Sequence, residues 1–430
     1  MFSDVGNFLS SYFDNTFSSL RVKNFRLYFI GQAISVSGTF MQAVAQSWLV
    51  LKITNSGAAL GLVTALQFLP MLILGPWGGV ITDRFRKRRI LYVTQTIFGI
   101  QALLLGFLVV GGLVRLWMVA VLAFIYGLIN LVDTPTNQTF VPEMVGNDNL
   151  RNAVTLYSAL VNLARVLGPL LAALLIAKAG LGVCFIVNGL SYIVIIILLT
   201  MIDGNQLHRA ERIKVIKGQM KEGLKYVFNT PILRNTLLMM AIIGTFTYEF
   251  QVSLPLLAKF TFHGDANTFA LIMSAQGIGS VIGGILLAGQ KKASTKILAV
   301  SAFAFGLFTL LTALMPQLYL AMTLIFIVGF FSIFFLSLGN AILQLESDIN
   351  MRGRVMAYWS MAFLGSTAIG GPIIGTIGEY LSPRWSLGIQ GTAAIIASLI
   401  GYLTVTEIRK KPSDKIIAAA EFAAGENKNK

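Results

Sequence analysis

Charge is the first thing this sequence lacks. Of its 430 residues, 12% are Asp, Glu, Lys or Arg, about half the share of a soluble globular chain. Cysteine is nearly absent as well: Cys184 stands alone in an apolar run, which excludes a disulfide framework. The two histidines, His208 and His263, lie far apart with no cluster of Cys or acids around them, so no metal-ligand spacing exists. No G-x-S-x-G, H-E-x-x-H or G-x-x-x-x-G-K-S/T pattern occurs. A nucleophile elbow, a zinc-protease helix and a phosphate-cradling loop are thereby all missing. Neither an enzyme nor an ATP-driven machine is expected, and no cofactor or metal. The amino-terminal stretch SDVGNFLSSYFDNTFSSLRVKNFRLYF has no basic start followed by a short apolar core. It reads as an interfacial amphipathic segment rather than a signal peptide.

What the chain has in abundance is apolar length. Hydrophobic residues make up 56% of it, and the mean hydropathy is +0.75. Runs of roughly 20 or more apolar residues match the length needed to cross a bilayer core about 30 Å thick. The eleven prolines and 41 glycines fit the same class, since both are commoner in transmembrane helices than in soluble ones. Spans are predicted at 27–50, 58–82, 90–112, 116–140, 153–177 and 182–202. A second set follows at 235–260, 267–289, 295–315, 318–344, 355–380 and 386–406. The expected architecture is therefore an all-α polytopic membrane protein of twelve transmembrane helices in two six-helix halves, 27–202 and 235–406. A cytoplasmic amino-terminal segment covers 1–26, a cytoplasmic linker 203–234 and a cytoplasmic tail 407–430.

Orientation follows from the cations. Both tails and the even-numbered loops hold about 27 of the 33 Lys and Arg, the distribution expected of cytoplasmic segments. The opposite loops hold Lys52, Arg115, Lys178, Lys259 and Arg384, and only Arg165 is left inside a span. The net charge of +15 is thus a topology signal and not a nucleic-acid footprint.

The two halves repeat each other. Arg151 is followed 17 residues later by Gly168-Pro169, and Arg354 is followed 17 residues later by Gly371-Pro372. Gly284 begins GILLAGQKK where Gly79 begins GVITDRFRK, with Ala288 in the place of the acid. Spans two, five, eight and eleven therefore occupy equivalent places, and the Gly-Pro pairs read as kinks and packing points. Duplicated halves are typical of secondary transporters, with the substrate site at mid-membrane between them.

These residues resemble the major facilitator superfamily. GGVITDRFRKRRIL is similar to its signature loop between the second and third helices, although Arg86 stands where that loop usually has a second glycine. NFRLYFIGQAISVSGTFMQAVAQSWLVL, DTPTNQTFVPEM, NLARVLGPLLA and RGRVMAYWSMAFLGSTAIGGPIIG resemble the drug:proton antiporter-3 branch, which includes macrolide efflux proteins and the enterobactin exporter. The branch often has a basic residue near Asn137, which this chain lacks. The resemblance implies a gate built from Gly79, Asp83, Arg84, Lys87, Glu143 and Arg354. In it Asp83 docks against the start of the eleventh helix, and Lys87 pairs with Glu143 at the end of the fourth. An acid gains nothing from the positive-inside bias, which favours a gating part for Asp83. Arg88 and Arg89 read as topology and headgroup contacts.

Charged groups at bilayer depth are costly unless paired, hydrated or neutralised, and so default to functional candidates. Asp133 precedes Glu143 by ten residues, about 15 Å into the bilayer at 1.5 Å per residue. Glu249 lies about fifteen residues into span seven, and Arg165 lies at comparable depth in span five. Glu249 is the first candidate for proton coupling and Asp133 the second. The alternatives are a fixed Asp133–Arg165 pair, and a neutral Glu249 bonded to Ser253 or to a backbone carbonyl.

Polar side chains recur in the spans expected to face a cavity. Gln42 and Gln46 share one face of span one. Asn130, Asn137 and Gln138 follow in span four, Tyr248 and Gln251 in span seven, Asn340 and Gln344 in span ten. Together with Arg165 they either hydrogen-bond a ligand or join helix to helix. The run GIGSVIGG reads as close packing. The function expected is alternating-access, proton-coupled export of amphipathic small molecules, a drug, macrolide or siderophore-like compound, across the inner or plasma membrane. A proton-independent facilitator is the alternative, and a non-transporting receptor a more distant one. The expected partners are a small-molecule substrate, protons and the bilayer, with no nucleic acid, and the carrier is expected as a monomer.

Overall fold

A computed structural model describes residues 17–146, 148–208, 219–288, 293–348 and 351–403. Within them are twelve helices long and apolar enough to cross a membrane. In the first half these are α1 (Lys23–Thr54), α2 (Gly57–Arg84), α3 (Lys87–Val110), α4 (Leu116–Val145), α5 (Leu150–Ala179) and α6 (Leu181–Thr200). In the second they are α7 (Pro231–Thr261), α8 (Ala266–Leu287), α9 (Thr295–Leu314), α10 (Leu318–Leu345), α11 (Arg352–Tyr380) and α12 (Pro383–Leu403).

Local chemistry punctuates them. Asn55 ends α1 in the left-handed region at φ 53°, and Ser56 then caps α2 by accepting from the Ala59 N–H. Gly146 and Gly180 stop α4 and α5 with φ of 67° and 86°. Pro231 opens α7 at a position where its missing N–H costs nothing. Asp265 accepts from the Thr268 N–H at 2.9 Å ahead of α8, and that bond holds its carboxyl below the usual range.

The two ends of the first six-helix half meet on one side of the bundle. Asn24 Nδ2 donates to the Asp203 carbonyl at 3.0 Å, and the Asp203 N–H donates back to Asn24 Oδ1 at 2.9 Å. The linker is not wholly irregular. It contains a helix, Gln219–Asn229, that docks Val227 against Leu233, Leu343 and Val355 beneath α10 and α11.

Two antiparallel seams join the halves: α2 runs along α11, and α5 along α8. These are the same four spans that the sequence repeat pairs. The first seam has no room for side chains. A Cβ on Gly61 would overlap the backbone carbonyl of Gly371, and one on Gly57 would lie 2.5 Å from the carbonyl of Gly375. Close backbone approach of this kind replaces the hydrophobic drive that lipid removes. Gly61→Ala is therefore expected to destabilise the protein in detergent by about 1–3 kcal/mol, the usual cost of overpacking. Gly388→Ala, with nothing within 4 Å of the added carbon, serves as the tolerated control in the same thermal melts.

Candidate functional site

Two cavities lie between the halves at mid-depth. One, of about 250 Å³, is bounded by α1, α2 and α4 and contains Gln42, Gln46, Gln67, Tyr126, Asn130 and Gln251 in its walls. The other, of about 190 Å³, lies deeper toward the second half, against Arg165, Pro169, Tyr248, Glu249, Gln276 and Thr367. Phe40, Ala43, Thr64, Phe68 and Gln251 belong to both, so the two adjoin.

The second cavity owes its shape to a break in α7. That helix is regular from Pro231 to Ile242, then widens into a π-helical turn at Ile243–Thr247. Tyr248 and Glu249 leave helical geometry altogether, with ψ of 26° and 39°, before the helix restarts at Phe250. α11 carries a matching π turn at Ser360–Gly365, and the two widened stretches pack against each other. Such turns recur at functional sites because they turn a side chain out of its regular register. From α12, Gln390 braces the break: its carbonyl accepts from Thr247 Oγ1 at 2.9 Å, and its side-chain oxygen from Ser253 at 3.3 Å.

Glu249 is 1% exposed; the Thr367 hydroxyl lies near its carboxyl group, but neither carboxyl oxygen completes a hydrogen bond. The Ser253 hydroxyl bonds to the Glu249 backbone carbonyl at 3.1 Å rather than to its carboxyl group. The alternative reading, a Glu249 carboxyl bonded to Ser253 or to a backbone carbonyl, is therefore not met. Arg165 also opens on this cavity; its Nη1 is buried without a partner, and its guanidinium lies 5.7 Å from the centre of the Phe40 ring.

Asp133 is solvated quite differently. Its Oδ1 accepts from Thr94 Oγ1 at 2.5 Å and Gln95 Nε2 at 2.9 Å, and its Oδ2 from Asn137 Nδ2 at 2.6 Å. Asn137 in turn accepts from Tyr28 at 2.5 Å and Gln32 at 3.2 Å. The alternative of a fixed pair with Arg165 is not met: among the described residues Asp133 makes no ion pair, and Arg165 lines the cavity shared with the other half. Asn137 is spent on this network and lines neither cavity. Gln138 is exposed, and Asn340 and Gln344 bond to each other at 2.5 Å, also away from both cavities. Gln42 holds Gln101 at 3.1 Å and Asn188 at 2.7 Å, while Gln46 holds Gln67 at 3.1 Å. Gly168 abuts the backbone of α1 at Phe40 and Met41, Pro169 reaches the second cavity, and Gly371-Pro372 lie on the α2 seam.

Contacts at the two ends of the bundle differ. At the terminus end Lys87 Nζ meets Glu143 Oε1 at 2.7 Å, inside the first half. Arg354 meets Glu222 of the linker helix at 2.7 Å, inside the second, rather than anything across the gate. Arg84 is exposed; Gly79 and Asp83 lie on α2, with the Asp83 side chain outside the described residues. At the opposite end three hydrogen bonds cross between halves. Glu379 Oε2 accepts from Ser56 Oγ at 2.5 Å and from the Ala58 N–H at 2.8 Å, and Lys259 Nζ donates to the Leu51 carbonyl at 2.8 Å. The halves are thus tied at the end away from the termini.

The family model described as transmembrane secretion effector matches residues 14–427. The chain belongs to that family. Its fold is that of major facilitator transporters: a bacterial homologue of the human lysosomal transporter Spinster matches with a TM-score of 0.70 at 14% identity, covering 89% of this chain and 97% of that one. The nucleoside transporter NupG matches at 0.67 and 11%, covering 89% and 99%. Among curated relatives, the staphyloferrin A transporter of Staphylococcus aureus is 22% identical over 90% of this chain and 97% of its own length. The enterobactin exporter EntS of Salmonella typhimurium is 25% identical over 90% and 93%. The multidrug efflux pump Tap of Mycolicibacterium fortuitum is 25% identical over 74% and 80%. This secretion effector is accordingly a multi-pass membrane transporter and not an enzyme.

Sequence reasoning missed Gln67, Gln276, Glu379 and the α7 break. The two glutamines were findable as lone amides at bilayer depth. Glu379 was findable as an acid at a helix end facing the Ser56 cap. The crossing bonds involve a charged partner, each worth about 1.5–3 kcal/mol when sheltered and less when exposed. Removing them with Glu379→Ala and Lys259→Ala is expected to open that end. Spin labels at Lys52 and Tyr380 read it as a fivefold or larger shift toward the longer distance, about 1 kcal/mol. An unchanged distribution would mean the seam glycines alone hold the closure.

Proposed function

We propose that this chain exports amphipathic small molecules by alternating access, coupled to protons through Glu249. The observation that carries the reading is Glu249 itself. It is buried at the break of α7, without a hydrogen-bond partner, in a cavity between the halves. A buried carboxylate left unpaired costs several kcal/mol, and either a proton or the cationic group of a ligand removes that cost. The two occupants exclude each other. Proton entry from outside displaces the ligand, the halves rock with Glu249 neutral, and proton release inside readies the site for the next ligand. Asp133, whose carboxyl group already accepts three hydrogen bonds, suits a structural part that fixes α3 to α4. The efflux names of Tap and EntS, and the aromatic walls around the polar groups, support an amphipathic cargo.

The reading is tested in vesicles by an inward pH step, with lumenal pH followed as cationic dyes, macrolides and catecholate siderophores are added. Glu249→Gln is expected to abolish substrate-dependent proton flux, while Asp133→Asn keeps it and loses thermal stability. Substrate movement without proton flux in the unaltered protein would leave a facilitator instead.

The same reading puts the termini in the cytosol of the cell that carries this transporter in its cell membrane, since the terminus end gathers most of the cations. Cys184 is buried in α6 and gives little background to thiol labelling. A membrane-impermeant maleimide applied to intact cells is therefore expected to label a cysteine placed at Arg115 and to spare one placed at Arg86. The reverse pattern would invert the orientation.

A further inference from the structure

We infer that the ligand of the deeper cavity is amphoteric, its anionic group held by Arg165 and its cationic group by Glu249. Arg165 and Glu249 reach the cavity from opposite halves, α5 and α7; neither has a charged partner, Arg165 Nη1 and both Glu249 oxygens make no hydrogen bond, and the two form no ion pair with each other. A guanidinium stays charged at any physiological pH. In a low-dielectric site each lone charge costs up to several kcal/mol; a proton or a cation relieves it at Glu249, and an anion relieves it at the half-buried Arg165, more fully than water does. The cation–π contact with Phe40 offsets about 0.5–2 kcal/mol of that for Arg165.

A ligand of one sign satisfies one group and is repelled by the other. An anion on Arg165 faces Glu249, and a cation at Glu249 faces Arg165. A ligand carrying both signs satisfies both, and the planar guanidinium suits a carboxylate in particular, through two parallel hydrogen bonds. Aromatic side chains at Phe68, Tyr248, Phe269 and Phe363 are placed to enclose an apolar body. The adjoining cavity, sharing Phe40, Thr64 and Phe68, gives a longer molecule room to extend.

The two charged residues then divide the work. Arg165 holds its end of the ligand at every pH and acts as a positioning residue, whereas Glu249 gives up the ligand's amine when a proton takes its place. The charged or titratable groups facing the cavity are Arg165 from α5 and Tyr248 and Glu249 from α7. The walls from α1, α2, α8 and α11 contribute amides, hydroxyls and apolar groups only. The division rests on the proton-exchanging role proposed above for Glu249, but the preference for both signs does not.

The test uses one fluorescent body with four charge patterns: Nα-dansyl-lysine, dansylcadaverine, dansylnorleucine and dansylpentylamide. Their binding to the purified full chain in nanodiscs is titrated with no gradient present. Near neutral pH, dansyl-lysine is expected to bind about tenfold tighter than each of the other three. Arg165→Gln lowers it to the level of dansylcadaverine, Arg165→Lys restores part of the loss, and Glu249→Gln lowers it to the level of dansylnorleucine. Acidification weakens dansyl-lysine on the unaltered protein and leaves its affinity for Glu249→Gln unchanged.

The proposal falls if dansyl-lysine is no tighter than the singly charged probes, if none of the four binds, or if the preference survives Arg165→Gln. The ranking on the unaltered protein decides the matter even if a variant fails to fold. A flat ranking beside intact proton flux would sink this inference alone. A sound ranking beside absent proton flux would sink the coupling alone.

Discussion

Hydrocarbon offers no hydrogen-bond partner, and the arrangement of this molecule follows from that constraint. Asp133 obeys it by drawing in Thr94, Gln95 and Asn137. Gln42, Gln46 and Asn188 obey it by pairing amide to amide across helices. Serine and threonine hydroxyls obey it by turning back onto their own helix, as Thr64 does to the Leu60 carbonyl at 2.9 Å. Single atoms of Gln95, Gln101, Asn267, Trp359 and Gln390 stay unpaired too, but among the described residues with such atoms Arg165 and Glu249 are the charged ones, and both line the space between the halves. An interior that satisfies its other acid this thoroughly has had the means to satisfy these two as well. In the proposed reading, a ligand or a proton relieves that unpaired state.

The break in α7 explains how one half can supply such a site. Equivalent helices of the two halves are α1 and α7, and α5 and α11. In the first half both are unbroken α-helix, and their polar groups are tied to neighbours or, for Arg165, project as a single long side chain. In the second half both carry π turns at cavity depth. Gly244 and Gly370 let those turns interlock, since a Cβ on Gly244 would come within 2.6 Å of the Phe363 carbonyl and one on Gly370 within 2.9 Å of Glu249 Oε1. The duplicated scaffold is therefore asymmetric where chemistry is needed. One half is stiff and bears Arg165; the other has a loosened backbone and bears Glu249.

Most of the architecture was legible in the sequence, because a span's hydropathy is summed over twenty residues and survives local irregularity. Glu249 was legible for the opposite reason: a single acid in a long apolar run has few readings. Depth along a helix is not direction around it, however, and this is where the reading of Arg165 and Asp133 failed. They lie at similar depth, but Arg165 faces α7 and α8 while Asp133 faces α3. Asn137 stands one helical turn from Asp133, so its bond along α4 follows from i, i+4 spacing, a local rule that overrides any cavity role. The π turns had no such cue, as Gly244 alone does not distinguish a widened helix from a close-packed one.

The α2–α11 seam carries the same logic to the bundle ends. An anion at the last turn of a helix faces that helix's own negative pole and is disfavoured there. Asp83 and Glu379 are both penultimate residues, of α2 and α11 respectively. Because the two helices run antiparallel, each stands at the level of the other's amino terminus. For Glu379 that terminus, with its free N–H at Ala58 and its Ser56 hydroxyl, supplies what its own helix withholds. The register through Gly57–Gly375, Gly61–Gly371 and Leu72–Gly365 carries on to place Asp83 level with the start of α11 at Arg352–Arg354. The glycine packing holds the two helices together along this seam, and the Glu379 contacts close it at the end away from the termini. For Glu379 the partner helix thus relieves a cost its own helix imposes, which a pair of exposed side chains does not do.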